Sequence, residues 1–162
     1  MRAVLSLFAC ALYWAQPAVA QDIPGPVPAE ILHIVDGDTV GVRAHTWPGQ
    51  YVEIRVRLRG ADAPEVRRVA CEAERARGHE ATEFTRAWLT APDGGGFAPV
   101  MLTDIGPDSF WGRVVARMER AGDGADLSDD LIAAGLAVPF RQRGPWCDAP
   151  EDAPNGAEPS LP

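Results

Sequence analysis

The chain contains no lysine. All 15 of its basic residues are arginines. Lysine general-base and Schiff-base chemistry are therefore excluded, and every side-chain cation is a planar fork suited to carboxylate or phosphate. Positive charge is also scarce overall. Twenty-three acidic residues give a formal charge of −8, which argues against the broad basic face of a chromatin or architectural protein. There are only three cysteines, none in a Cys-x-x-Cys pair, and His33, His45 and His79 show no ligand spacing, so a zinc site is not indicated. No apolar run is long enough to span a bilayer.

What is present is ordinary for a globular protein: 46% apolar and 23% charged residues over 162 positions. That composition excludes wholesale disorder, and the length allows one domain plus extensions with a sizeable core of its own. Residues 1–20 read as a secretory signal. Arg2 is followed by an apolar run over 3–14 and by Ala18-Val19-Ala20, a small-x-small cleavage pattern. Export implies an oxidising compartment, and the chain beyond the signal keeps two cysteines, Cys71 and Cys147. Residues 21–28 form a proline-rich lead-in. Residues 148–162 carry four acids, four prolines and no base, which reads as a disordered tail. The folded unit is expected over 29–147.

Within it, residues 31–35 and 39–43 read as strands joined by the Asp36-Gly37-Asp38 turn. Residues 51–59 alternate, with Val52, Ile54, Val56 and Leu58 on one face and Glu53, Arg55, Arg57 and Arg59 on the other. A helix is expected over 79–90, with its start as early as Glu72, carrying Ala81, Phe84 and Trp88 at helical spacing. Strands follow over 100–104 and 113–120, the latter with Val114, Ala116 and Met118 inward. A second helix is expected over 127–134, with Asp126 as N-cap and Gly135 as stop. Three strands, a helix, two strands and a helix suit an α+β fold, a five-stranded OB-type β-barrel with two or three helices against it.

Four clusters carry candidate chemistry: Asp36-Gly37-Asp38-Thr39; Arg57 with Asp62-Ala63-Pro64-Glu65; Asp108-Ser109-Phe110-Trp111-Gly112-Arg113; and the two cysteines. Taken singly, each has a plain alternative. Asp-Gly-Asp is a common turn, Arg55, Arg57 and Arg59 opposite Glu53 suit a solvated strand face, and an arginine after a glycine turn is usually at the surface. In order and spacing, however, Val35-Asp36-Gly37-Asp38-Thr39-Val40, Val56-Arg57-Leu58 leading to Asp62-Ala63-Pro64-Glu65, the run Gly78–Arg86, Gly112-Arg113 and Leu131–Ala137 together resemble the thermonuclease (staphylococcal nuclease-like) family over roughly 29–147. The ending Gly144-Pro145-Trp146-Cys147, with a cysteine soon after Pro64-Glu65, is similar to its secreted bacterial branch.

The resemblance implies a calcium-dependent phosphodiesterase acting on single-stranded DNA and RNA and leaving 3′-phosphate ends. It assigns calcium to Asp38, Asp62 and the backbone carbonyl of Ala63, with Asp36 binding the metal's waters. Arg57, Glu65 and Arg113 become the catalytic set. Oxygen donors suit a hard cation, a carboxylate can orient or deprotonate water, and arginine forks match phosphate. Phe110 and Trp111 are candidates for base stacking. A Cys71–Cys147 disulfide and a monomer in the periplasm or medium are expected. The chain departs from the family at Ser109, where a lysine is common, at Phe140, Arg141 and Arg143, where pocket tyrosines stand, and in lacking a third C-terminal helix. The alternatives are a non-catalytic OB-fold module that binds nucleic acid or protein, and a calcium-stabilised structural domain. The latter gives Arg57, Glu65 and Arg113 no joint task.

Overall fold

The computed structural model describes residues 22–142 and 144–147. The expected signal over 1–20, the tail over 148–162 and Arg143 lie outside them. Nine elements follow in chain order: β1 (Val27–Ile34), β2 (Thr39–Trp47), β3 (Gln50–Leu58), β4 (Ala61–Asp62), α1 (Glu72–Leu89), β5 (Val100–Pro107), β6 (Arg113–Arg120), α2 (Leu127–Ala133) and β7 (Val138–Pro139). Five strands close a barrel in the order β1-β2-β3-β6-β5, antiparallel except for the parallel β3–β6 pair. This is the α+β barrel with two helices that the sequence implies, of OB type.

The alternation explains the closure. Val40, Val42, Val56, Leu58, Ala116 and Met118 point inward and are fully buried, so each strand turns one apolar face to a shared core and leaves its arginines outside. The inward set is narrower than expected. Val52 is exposed and Ile54 only half-buried, because the β2–β3 hairpin runs past the barrel's end, leaving Trp47 and Tyr51 exposed as well.

Other boundaries also shift. β1 starts at Val27, so the last residues of the proline-rich lead-in pair with β5. Ile23 adds a bridge to Ile105. α1 begins at Glu72, the earlier of the two starts expected, and is capped by Cys71. Its inward stripe is Gly78, Ala81, Thr85 and Leu89, while Phe84 and Trp88 are half-buried beside the core. The Trp88 indole N–H donates to Asp130 Oδ2 at 2.7 Å, which pins α1 to α2. α2 is capped as expected, with Asp126 Oδ1 accepting from the amides of Ser128 and Asp129 at 2.9 and 3.1 Å. The two-residue ladder β4–β7 is new. It docks the chain after α2 against Asp62, reinforced by the Phe140 amide donating to Gly60 O at 2.9 Å. No helix among the described residues is long and apolar enough to cross a membrane.

Candidate active site

The Asp36-Gly37-Asp38 turn sits where β1 hands over to β2, and α1 holds it in place. The buried Thr85 hydroxyl donates to Gly37 O at 2.7 Å. A Cβ at Gly37 would collide with the Ala81 methyl, so glycine is needed for the helix to lie this close to the turn. The turn thereby fixes Asp38, whose carbonyl accepts from the Leu58 amide at 2.8 Å. Thr39 and Arg57 are register partners on β2 and β3, which puts the Arg57 guanidinium over the Asp38 carboxylate.

Asp38 is the most enclosed member of the expected set, its side chain 5% exposed. Its Oδ1 accepts from Arg57 Nη1 at 3.1 Å and from the Thr39 hydroxyl at 3.0 Å, and its Oδ2 from the Ala63 amide at 2.9 Å. Burial pushes its carboxyl up to about 6, with the Asp36 charge adding to the effect against the opposing pull of Arg57 and the two remaining hydrogen bonds. Arg57 Nη2 makes a close ion pair with Asp62 Oδ1. One guanidinium thus bridges the two carboxylates expected to hold calcium. Asp36 contributes through Oδ1, which accepts from the Asp38 amide at 3.3 Å.

Arg113 enters at the first residue of β6, after Gly112, whose φ of +75° favours glycine. Its Nε donates to Asp108 Oδ2 at 2.6 Å, and its guanidinium stacks 4.7 Å from the Phe110 ring centre. That leaves the terminal nitrogens as the free end of the fork. Asp108 is a positioning residue the sequence reading missed. Its carboxylate also accepts from the Phe110 amide and the Ser109 hydroxyl, both at 3.1 Å. Burial opposes its ionisation, yet the hydrogen bonds from Arg113, Phe110 and Ser109 hold its carboxyl below the ordinary value. A depressed pKa stabilises the fold above the unfolded value of about 3.9, and this contribution is lost as pH falls through the lower folded value. Asp108→Ala is expected to free Arg113 and to remove that stabilisation at neutral pH, with little further effect below the folded pKa of Asp108. Melting curves at neutral and acid pH check the stability change.

Three hollows meet at Glu65. A cleft of about 640 Å³ is lined by Arg57, Glu65 and Arg113 together with Phe110 and Phe140. A second of about 620 Å³ is lined by Asp62, Ala63 and Glu65 together with Arg141 and Trp146. A third of about 370 Å³ lies between Asp36 and Glu65. The exposed Glu65 carboxylate borders all three. The structure therefore gathers Arg57, Glu65 and Arg113 in one cleft, with Asp62, Ala63 and Asp36 beside it and Asp38 behind Arg57. Trp111 does not line these hollows and is 100% exposed. Phe140 places an aromatic ring on the main cleft.

The donor chemistry around Arg57 fits a hard divalent ion. Every side-chain candidate is a carboxylate oxygen, and the one guanidinium at Asp38 is shared with Asp62. Among the described residues no three His, Cys, Asp or Glu side chains form a ready metal cluster. The expected set has only two direct carboxylates, the rest being backbone oxygen and water.

Cys71 and Cys147 are disulfide-bonded, with Cα atoms 5.9 Å apart and a sequence separation of 76. The bond ties the wall of the second hollow to the start of α1. Replacing both cysteines with serine is expected to cost up to about 4 kcal/mol on the chain-entropy account, read by chemical denaturation. If intact protein took up two equivalents of thiol reagent, the bond would be disproved. No protein-family model matches the chain, and no curated protein matches it in sequence.

Proposed function

We propose that the chain is an exported, calcium-dependent nuclease that hydrolyses phosphodiester bonds in single-stranded DNA and RNA and leaves 3′-phosphate ends. The supporting observation is the convergence on Glu65, one exposed carboxylate at the junction of hollows lined by two arginines, by Asp62 and Ala63, and by Asp36. A phosphodiester carries a negative charge that grows at its non-bridging oxygens as water attacks. A competent site must therefore supply cations on one side and a water-orienting base on the other.

Asp38, Asp62 and the Ala63 carbonyl are the groups that would hold calcium, with Asp36 accepting hydrogen bonds from its waters. Bound calcium supplies positive charge to the phosphate. Glu65 takes the hydrogen bond of the attacking water, positioning or deprotonating it. Arg113, braced by Asp108, presents its terminal nitrogens to the phosphate oxygens. Arg57, which pairs with Asp38 and Asp62, would offer its guanidinium to the phosphate once those carboxylates held the metal. Water oxygen bonds to phosphorus and gives a proton to Glu65, the bond to the 5′ oxygen breaks, and that oxygen takes a proton from solvent water and leaves as a hydroxyl, while Glu65 returns its proton to solvent. Export is supported by the signal-like first 20 residues together with the disulfide.

The acidity of the chain is compatible with this substrate. Residues 29–147 hold 18 acidic residues and 14 arginines, a charge of only −4, and a bound calcium would halve it. Capture is then local, transient and salt-sensitive. Purified protein is expected to cleave single-stranded DNA with calcium and to stop with chelator, giving ends that a phosphatase must treat before a polymerase extends them. Calcium at about 100 times its dissociation constant should also add about 2.7 kcal/mol to stability. Absence of cleavage with calcium, at every pH from mildly acid to alkaline, would leave the reading as a non-catalytic OB module.

A further inference from the structure

We propose that Arg55 and His33 form a second phosphate-binding position for a polynucleotide strand, one strand step outside the cleft that holds Arg113. The inference rests on the nuclease reading and extends it to the length of strand the protein engages. Its basis is a row of register partners across the outside of the barrel. His33 on β1 pairs with Gly41 on β2, Gly41 with Arg55 on β3, and Arg55 with Arg113 on β6. Register partners point to the same side of a sheet, and neighbouring strands lie about 4.8 Å apart. Arg55 is therefore one such step from Arg113 and two from His33, and it stands about 7 Å from Arg57 along β3. Charged side chains here follow a strand of phosphates rather than a single one.

Arg55 also differs from its neighbours in charge. Arg43, Arg57, Arg59, Arg113, Arg117 and Arg120, on or beside the barrel strands, each lie within ion-pair distance of a carboxylate. Arg55 is exposed and has no carboxylate partner among the described residues. Glu53, two residues earlier on β3 and on the same face, is engaged by Arg43, its register partner on β2, at 2.7 Å. Arg67, Arg68 and Arg141 also lack an ion pair among the described residues but lie off the barrel strands; on the strands themselves, which otherwise neutralise their arginines, the cation left open beside the main cleft is an anion position.

The surface around it suits a backbone passing over rather than an enclosed small molecule. A shallow hollow of about 350 Å³ runs from His33 and Gly41 past Arg55 to Gly112. The His33 ring lies directly against Gly41, where any Cβ would collide with it. Gly41 and Gly112 keep the path from Arg113 low. Leu32, which is exposed, lines the same hollow and gives a sugar or base an apolar surface; Glu53 also borders it, its carboxylate held by Arg43.

The test is binding of a labelled ten-residue oligothymidylate, read by fluorescence anisotropy, to the Glu65→Gln protein with calcium. Adding Arg55→Ala should weaken binding about tenfold and flatten the slope of log affinity against log salt by about 0.7, the loss of one phosphate contact on a single strand. His33→Ala should weaken it two- to threefold, about a few tenths of the charge-pair effect on a logarithmic scale. Arg55→Lys should keep the salt slope. The loss caused by Arg55→Ala should be several times smaller on a dinucleotide, which has one phosphodiester. Unchanged affinity and slope in both variants, or equally good competition by polyglutamate, would overturn the proposal. If Arg55→Ala fails to melt cooperatively, Arg55→Gln gives the same reading. Arg55-dependent binding without cleavage by the unaltered protein would refute the nuclease reading alone. Cleavage with Arg55 silent would refute this inference alone.

Discussion

Glu65→Gln is expected to slow cleavage of single-stranded DNA by about 10²- to 10⁴-fold, the range for loss of a positioned acid–base group, with no matching loss of stability. The two effects separate because of where Glu65 stands. Its carboxylate is exposed and borders three hollows, so the fold does not depend on it, and a surface substitution of this kind moves stability by about 0.5 kcal/mol or less. Glutamine keeps the length and the hydrogen-bonding reach but cannot take a proton. A variant that melts like the parent and fails to turn over isolates the chemistry. Full rate in Glu65→Gln would remove Glu65 from the mechanism even if the protein is a nuclease. Arg113→Ala is a less clean comparison, since it also strands the Asp108 carboxylate that now holds Arg113 Nε at 2.6 Å.

What the sequence made legible, and what it hid, follows from the range of the interactions. The barrel was legible because each strand carries its own periodicity. Val56 and Leu58 alternate with Arg55 and Arg57 whatever lies beside them, and the inward pair is buried. The same pattern misled at Val52, where the hairpin leaves the barrel and both faces meet water. β4 and β7, two residues each, are too short to show a period. Val27-Pro28-Ala29 was hidden by Pro28 and by Pro24 and Pro26 just before it. Turns were legible for the same local reason: Asp126 caps α2 and Gly112 delivers Arg113.

The partners of the site residues were not legible. That Arg57 spans Asp38 and Asp62 depends on the register of β2 against β3 and on α1 pressing the turn inward. That Asp108 braces Arg113 needs the loop to fold back on itself. The available signal was Asp108 itself, an acid opening the loop whose other end is Arg113. Arg55 was seen as one of three outward arginines. Only the pairing of the others with carboxylates sets it apart.

The bridge made by Arg57 leads to the largest expected effect on stability. Arg57→Ala would leave the Asp38 carboxylate, its side chain 5% exposed, with only the Thr39 hydroxyl and the Ala63 amide as partners. Breaking a buried ion pair from one side costs about 3–5 kcal/mol, which for a domain of this size lowers the melting temperature by roughly 10–25 °C. The cost belongs to the stranded charge rather than to the lost contact. Arg57→Ala with Asp38→Asn should therefore recover a good part of the stability while remaining inactive. The same reasoning sets the response to calcium. Arg57 and the metal compete for the carboxylates of Asp38 and Asp62, so calcium should raise the melting temperature of Arg57→Ala by more than it raises that of the unaltered protein. Equal shifts would mean that the metal binds elsewhere, and a stable calcium-free Arg57→Ala would mean that Asp38 does not need its cation. If both expectations hold, Arg57 has two successive duties. It stands in for the metal while the site is empty, and it is released to the phosphate by the ion that displaces it.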